Sequence, residues 1–254
     1  MTRTLHRERA SKIVKAYLRN RRLLRRLKPR ISSLMNPIPT PSGSLAKLID
    51  NRKSIVLFDV GANVGQFGID MRNSGFIGEI YSYEPVESVF TILQKTSRKY
   101  RPWESINLAL GSMKQISKIN ISSNSSLSSS LLSMSNAHIS AFPQSFTTKT
   151  EEVQITTLDE EISRLNVDPA NVILKIDVQG FESEVIKGGL DSIPKIGYIL
   201  LELSLLPLYT GEKTFLDVAI QLENLGHRVI DIHRGAQLKS GELLQVDVIT
   251  KNIN

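Results

Sequence analysis

The chain of 254 residues has no cysteine, which excludes disulfides, thiolate-bound zinc and a cysteine nucleophile, and leaves the redox compartment undecided. No apolar run approaches the roughly 20 residues needed to span a bilayer. The N-terminus lacks a hydrophobic core followed by a small-residue cleavage site, so a cytoplasmic protein is expected. Net positive charge is confined to one segment. Residues 1–30 carry twelve Lys or Arg against Glu8, a net +11, so a total of +7 leaves the rest of the chain at −4. A mildly acidic body does not suit nucleic acid, and no nucleic-acid partner is expected.

What is present begins with residues 55–65, Ile-Val-Leu-Phe-Asp-Val-Gly-Ala-Asn-Val-Gly. The apolar run suits a strand buried on both faces. Glycines follow at once, and a helix is expected from Val64 to about Asn73. A strand that turns through glycines into a helix opens a nucleotide-binding α/β unit, and a helix start offers N–H groups to a polar ligand. Gly61, lacking a Cβ, is expected to let a ligand lie against the backbone. The spacing from Gly61 to Gly65 differs from that of dinucleotide folds, and Gln66-Phe67 stands where a nucleoside triphosphate site needs Gly-Lys.

The remaining chain alternates. Residues 1–34 read as a basic helix with a ragged apolar stripe, suited to peripheral contact with an anionic membrane or to a partner, or else a solvated extension. Prolines between 36 and 44 end it and mark a boundary between this extension (1–44) and the domain (45–254). A short helix is expected over 45–51. Strands are expected over 78–83, 106–110, 153–158, 172–178 and 196–203, and helices over 86–99, 160–165 (capped by Asp159), 181–188 and 215–225. A closing hairpin is expected over 228–232 and 244–250. Residues 112–150 interrupt the rhythm, and the serine-rich 122–132 reads as a loop or lid. The fold class is α/β, doubly wound, with a seven-stranded, mostly parallel Rossmann-like sheet and one antiparallel C-terminal strand.

Ligands of open parallel sheets sit across the strand carboxyl ends, where the order reverses. Candidates there are Asp59, Gly61, Asn63 and Gly65 from the first strand, Glu84 from the second, Asn107 and the Ala109 to Ser112 segment from the third. Asp177, Gln179, Glu202 and Ser204 follow from later strands. Glu84, 19 positions beyond Gly65, is placed to accept both ribose hydroxyls. Ribose and adenine without phosphates point to S-adenosylmethionine.

Phe58-Asp-Val-Gly-Ala-Asn-Val-Gly-Gln-Phe67, Tyr83-Glu-Pro85, Asn107-Leu-Ala-Leu-Gly111, Thr157-Leu-Asp159, Leu174-Lys-Ile-Asp-Val-Gln-Gly-Phe-Glu182 and Leu201-Glu-Leu203 together resemble the FkbM family of methyltransferases, over about residues 50–250. The resemblance implies a class I methyltransferase fold, S-adenosyl-L-methionine as donor, and O-methylation of a hydroxyl on a sugar, glycan or glycosylated metabolite. It also implies that Asp59, Gly61 and Gly65 line the methionine and ribose end, that Glu84 holds the ribose, and that Asn107 to Ser112 flank adenine. Gln179 departs from the Glu that is frequent there.

Asp177, Glu182 and Glu202 are the candidates to accept the hydroxyl proton, with His233 behind them; each also has a structural reading. Glu182 in a first helical turn is favoured by the dipole anyway, and Glu202 inside an apolar strand needs a partner or a raised pKa. These three carboxylates offer oxygen ligands to a divalent cation, but no metal is expected. His138 is read as a loop residue. Trp103 and Tyr209 are candidates for stacking on a sugar, Trp103 more readily as core. The alternatives to a glycan acceptor are a lipid-linked acceptor at a membrane surface, or a non-catalytic protein that binds adenosyl ligand or a partner.

Overall fold

The computed structural model describes residues 40–49, 55–122 and 129–253. The basic helix expected over 1–34 and residues 123–128 of the serine-rich stretch lie outside the described residues. Among the described residues no helix is long and apolar enough to cross a membrane.

The first described element is helix α1 (Pro41–Leu48), which begins earlier than expected. Thr40 caps it by accepting the Gly43 N–H at 3.1 Å. Pro41 opens it at no cost, because a first-turn residue has no helical partner for an N–H. Strand β1 (Val56–Val60), helix α2 (Gln66–Asn73), strand β2 (Glu79–Tyr83), helix α3 (Glu87–Ser97) and strand β3 (Trp103–Ile106) follow. Farther on come strand β7 (Val172–Ile176), helix α6 (Glu182–Lys187), strand β8 (Tyr198–Ser204), helix α7 (Phe215–Glu223), and strands β9 (His227–Arg234) and β10 (Gln245–Asn252).

These seven strands form one sheet in the order β3-β2-β1-β7-β8-β10-β9. All neighbours from β3 to β8 run parallel; β10 is antiparallel to both β8 and β9, so it is the one reversed strand. The mostly parallel α/β sheet read from the sequence is therefore present. The continuous apolar run of β1 has its expected cause. Phe58 and Val60 enter a core with Leu174, Ile176 and Leu201, while Leu57 enters a second core with Leu45, Met71 and Trp103 on the opposite face. Full burial of each such side chain contributes roughly 1.5–3 kcal/mol.

Three expectations are corrected. The strand expected over 106–110 is two short pieces. Trp103–Ile106 pairs with β2, whereas β4 (Ala109–Leu110) leaves the main sheet. Residues 112–150 are not only loop: β5 (Gln115–Ser122) and β6 (Thr147–Thr156) pair antiparallel, and with β4 they form a second, three-stranded sheet. Ile119, Ile121 and Val153 pack there against Val86 and Val89. Serine content hid a strand whose apolar alternation is carried by only a few residues. Helix α4 (Asn136–Ala141) lies between β5 and β6.

Helix α5 (Leu158–Arg164) is capped by Thr157, whose hydroxyl accepts the Glu160 N–H at 3.1 Å, and not by Asp159. The Asp159 carboxylate instead accepts the N–H groups of Asp191 (3.2 Å) and Ser192 (3.0 Å).

Candidate active site

The strand order reverses between β1 and β7, so the crevice expected to take a ligand lies beyond their carboxyl ends. The turn after β1 runs through three left-handed residues, Gly61 (φ 73°), Asn63 (φ 51°) and Gly65 (φ 91°). A Cβ on Gly61 would lie 1.8 Å from the Asp177 carbonyl oxygen. The missing side chain thus lets β1 and β7 meet, a correction to the reading that the space serves a ligand. Gly61 and Ala62 donate to Tyr83 O at 3.1 and 2.9 Å, fixing the turn to the end of β2.

Glu84 follows β2 and is nearly buried. Its two carboxylate oxygens accept Asn63 N–H at 3.0 Å and Val86 N–H at 2.9 Å. Each oxygen keeps a second lone pair. Burial raises its pKa to about 7 against the lowering effect of those two N–H groups. Asn107 turns the chain after β3, and its amide donates to Glu84 O at 2.9 Å and Pro85 O at 3.0 Å. Ala109 is buried in β4. Glu84, Asn63 and Asn107 are thus brought together, with Gly61 and Gly65 on the same turn.

Asp59 is placed differently from the other candidates. It is fully buried beneath the turn, and Ser82 Oγ donates to its Oδ2 at 3.2 Å while Trp103 Nε1 donates to Ser82 at 2.9 Å. Its Oδ1 faces the Lys175 ammonium at 3.2 Å without an aligned hydrogen bond. Lys175 is the residue the sequence reading missed. It stands beside Asp59 in the β1–β7 register, and its Nζ donates to Gly61 O at 2.9 Å and Val60 O at 3.2 Å. Asp177 Oδ2 lies 3.6 Å away. Burial alone would lower the pKa of this ammonium, but Asp59 and Asp177 outweigh it and hold it above the ordinary lysine value. The signal was available: Lys175 is a lone charge within the buried run Val172-Ile-Leu-Lys-Ile176, where an unpaired charge is not tolerated.

Beyond β7, Asp177 keeps 34% of its side chain exposed, the most open of the three carboxylates read as proton acceptors. Gln179, with φ 57°, uses its whole amide. Nε2 donates to Asp177 Oδ1 at 2.9 Å and to Glu202 Oε2 at 3.0 Å, and Oε1 accepts the Tyr209 hydroxyl at 2.8 Å. Ser130 of the serine-rich stretch donates to Gln179 O at 2.6 Å. Glu202 also accepts Gln245 Nε2 at 2.9 Å. Burial, and then the neighbouring Asp177 and Asp247, push the Glu202 pKa well above the carboxylate range. Asp247 is raised to about 6, mainly by burial.

Glu182 is turned into its own loop, where Oε1 accepts Val178 N–H at 3.0 Å and Gly180 N–H at 3.2 Å. Burial raises its pKa from 4.5 to about 8. The folded state therefore binds this proton more tightly than the unfolded state. The resulting stability is present below about pH 4.5 and is lost as pH rises through about 8. Glu182→Gln keeps an acceptor and cannot ionise. In denaturant titrations between pH 5 and 8 it should remove on the order of 2–4 kcal/mol of the wild-type decline. An unchanged slope would place the titrating group elsewhere.

His233 lies on β9 with Nε2 3.1 Å from Asp231 Oδ2, and Ser204 is buried at the end of β8. His138, read as a loop residue, is buried in α4 with Nε2 3.2 Å from Ser145 Oγ and its ring 5.0 Å from that of Tyr209. Tyr209 is itself buried and no platform for a sugar; Trp103 is core, packed against Gly68. Among the described residues, no three His, Asp or Glu side chains are arranged to hold a metal ion.

Comparison with known proteins adds to this geometry. Solved structures with similar folds include an rRNA methylase from Streptococcus thermophilus (11% identity, 86% of this chain and 100% of that chain, TM-score 0.49). Magnesium protoporphyrin IX methyltransferase from Synechocystis PCC 6803, with bound S-adenosylmethionine, is 9% identical over 83% of this chain and 76% of that chain (TM-score 0.46). Fibrillarin from Aeropyrum pernix, in complex with natively bound S-adenosyl-L-methionine, is 15% identical over 82% and 72% (TM-score 0.44). No curated protein matches the sequence. The model of the methyltransferase FkbM domain matches residues 59–229, from Asp59 of β1 into β9 and across the carboxyl ends of β1, β2, β3, β7 and β8. The chain belongs to the FkbM methyltransferase family.

Proposed function

We propose that this protein transfers a methyl group from S-adenosylmethionine to a hydroxyl of a sugar, glycan or glycosylated metabolite. The observation that carries the reading is Glu84, an acid at the end of β2 whose carboxylate is anchored to the glycine turn through Asn63 at 3.0 Å. A carboxyl group so fixed, with a second lone pair on each oxygen, suits a pair of ribose hydroxyls. The donor set agrees: among the described residues the cation beneath the turn is Lys175, and it is already engaged by Asp59 and Asp177. Asn107 and the Ala109 to Ser112 segment are assigned to the adenine side, and Gly61 to Gly65 to the ribose and methionine side.

The bound cofactor supplies a methyl group already activated by its sulfonium. The chain's task is then to align the acceptor hydroxyl and take its proton. We assign the proton to Asp177, which is open to the crevice and held by Gln179 on one oxygen. Glu202 lies behind Gln179 and is assigned an orienting role. A neutral hydroxylated acceptor suits this carboxylate-rich wall, and nucleic acid does not suit a body of net negative charge.

Calorimetric titration with S-adenosylmethionine and S-adenosylhomocysteine tests the reading. Saturable binding is expected, and Glu84→Ala should weaken both by about 1–3 kcal/mol, the cost of unpaired buried partners. A folded protein that binds neither would overturn it.

A further inference from the structure

The Asp59–Lys175–Asp177 group has a property that the assignment of a cofactor does not by itself require. Its three charges are held at one point of the sheet. Lys175 lies 3.2 Å from one carboxylate and 3.6 Å from the other; it also donates to the carbonyls of Val60 and Gly61 and lies over the Phe67 ring. Lys175 and Asp59 are nearly enclosed, so the charge between these two is weakly screened, while Asp177 opens to the crevice. Glu202 and Asp247, the next carboxylates outward, are both pushed up by burial and by their acidic neighbours, and they stand outside this group of three. The sum over Asp59, Lys175 and Asp177 is a single negative charge, at the point where the strand order reverses.

We propose that Lys175 is a positioning residue that limits the Asp59–Lys175–Asp177 group to one net negative charge, matching it to the single charge that the reaction removes. The inference rests on the cofactor reading above. In the transfer the carbon–sulfur bond breaks with its electron pair left on sulfur, a carbon–oxygen bond forms, and the acceptor's proton passes to Asp177. Before transfer, one negative charge on the protein faces one positive sulfonium. Afterwards protonated Asp177 brings the group to zero, facing a neutral thioether. The site is balanced in both states. Without Lys175 two negative charges would face the sulfonium, and substrate would be held more tightly than the chemistry needs.

This is a statement about the ratio of two affinities, which general damage to the turn would not move. S-adenosylmethionine and S-adenosylhomocysteine differ at sulfur by one methyl and one charge. Calorimetry on wild type and variants gives the preference for the first over the second. Lys175→Met should raise that preference about tenfold, the order expected of one unit charge nearby at an effective protein dielectric. Asp177→Asn should lower it by about the same factor. Since Lys175→Met strands the buried Asp59 carboxylate and risks misfolding, the decisive pair is built on Asp59→Asn. That variant alone should lower the preference about tenfold, and adding Lys175→Met should restore it to the wild-type value. Glu84 and Asp247 are the same in every variant and drop out of the comparison. Variants that weaken both ligands by one common factor would overturn the proposal and leave Lys175 a purely structural residue. Wild-type protein that binds neither ligand would instead sink the cofactor reading on which it rests.

Discussion

Gly61→Ala is expected to lower the unfolding midpoint by about 5–20 °C and to abolish cofactor binding. The backbone at Gly61 has φ 73°, where an alanine costs about 1–2 kcal/mol. Its Cβ would also lie 1.8 Å from a main-chain oxygen of Asp177, with no flexible side chain to give way. Parting the ends of β1 and β7 adds an overpacking cost of about 1–3 kcal/mol. For a chain this long, each kcal/mol corresponds to about 2–4 °C. Gly75 provides the comparison, since its φ is 96° but nothing lies within 4 Å of an added Cβ. Gly75→Ala should therefore show the conformational cost alone. Equal midpoints for the two variants, measured by circular dichroism, would mean that the Asp177 contact is not what demands glycine.

Asp177→Asn should reduce methyl transfer by about 10²–10⁴-fold once an acceptor is found in a screen of sugar hydroxyls, the usual contribution of a positioned general base. Asparagine keeps an oxygen to accept from Gln179 Nε2, so the bridge to Glu202 should persist. The loss should fall on kcat, while KM for the acceptor moves much less. Glu182→Gln is the matched control, because that carboxylate faces the N–H groups of its own loop and should leave turnover near wild type. Retention of more than a tenth of the turnover in Asp177→Asn would move proton acceptance to another group.

Much of the main sheet could be read from residues. The apolar runs of β1 and β7 and the glycines after β1 each express a local requirement, so strand, turn and helix followed in order. Glu84 was equally legible, because an acid after β2 is a matter of position along the chain. What escaped depended on partners distant in sequence. Whether Asp59 faces a ligand or a lysine is decided by Lys175, 116 positions later. Whether Gly61 makes room for a ligand or for a strand is decided by the Asp177 carbonyl. The β5–β6 pair was hidden by composition, since serine, lysine and asparagine interrupt the isoleucines of β5, of which Ile119 and Ile121 are buried and Ile116 is exposed. Gln179 is the instructive case. Its identity was noticed as an oddity, but its use as a link between Asp177, Glu202 and Tyr209 is a property of three elements at once.

The chain contains one tryptophan, and the fold puts it in an informative place. The Trp103 ring packs on Gly68 of the helix that leaves the glycine turn, and its indole N–H reaches Asp59 through Ser82. All indole emission from this protein therefore originates at a spot coupled to the turn through two hydrogen bonds. No label or engineered fluorophore is needed to follow that turn in solution. Stopped-flow fluorescence of the unmodified chain can time the events at β1 on a millisecond scale, with no second indole to blur the signal.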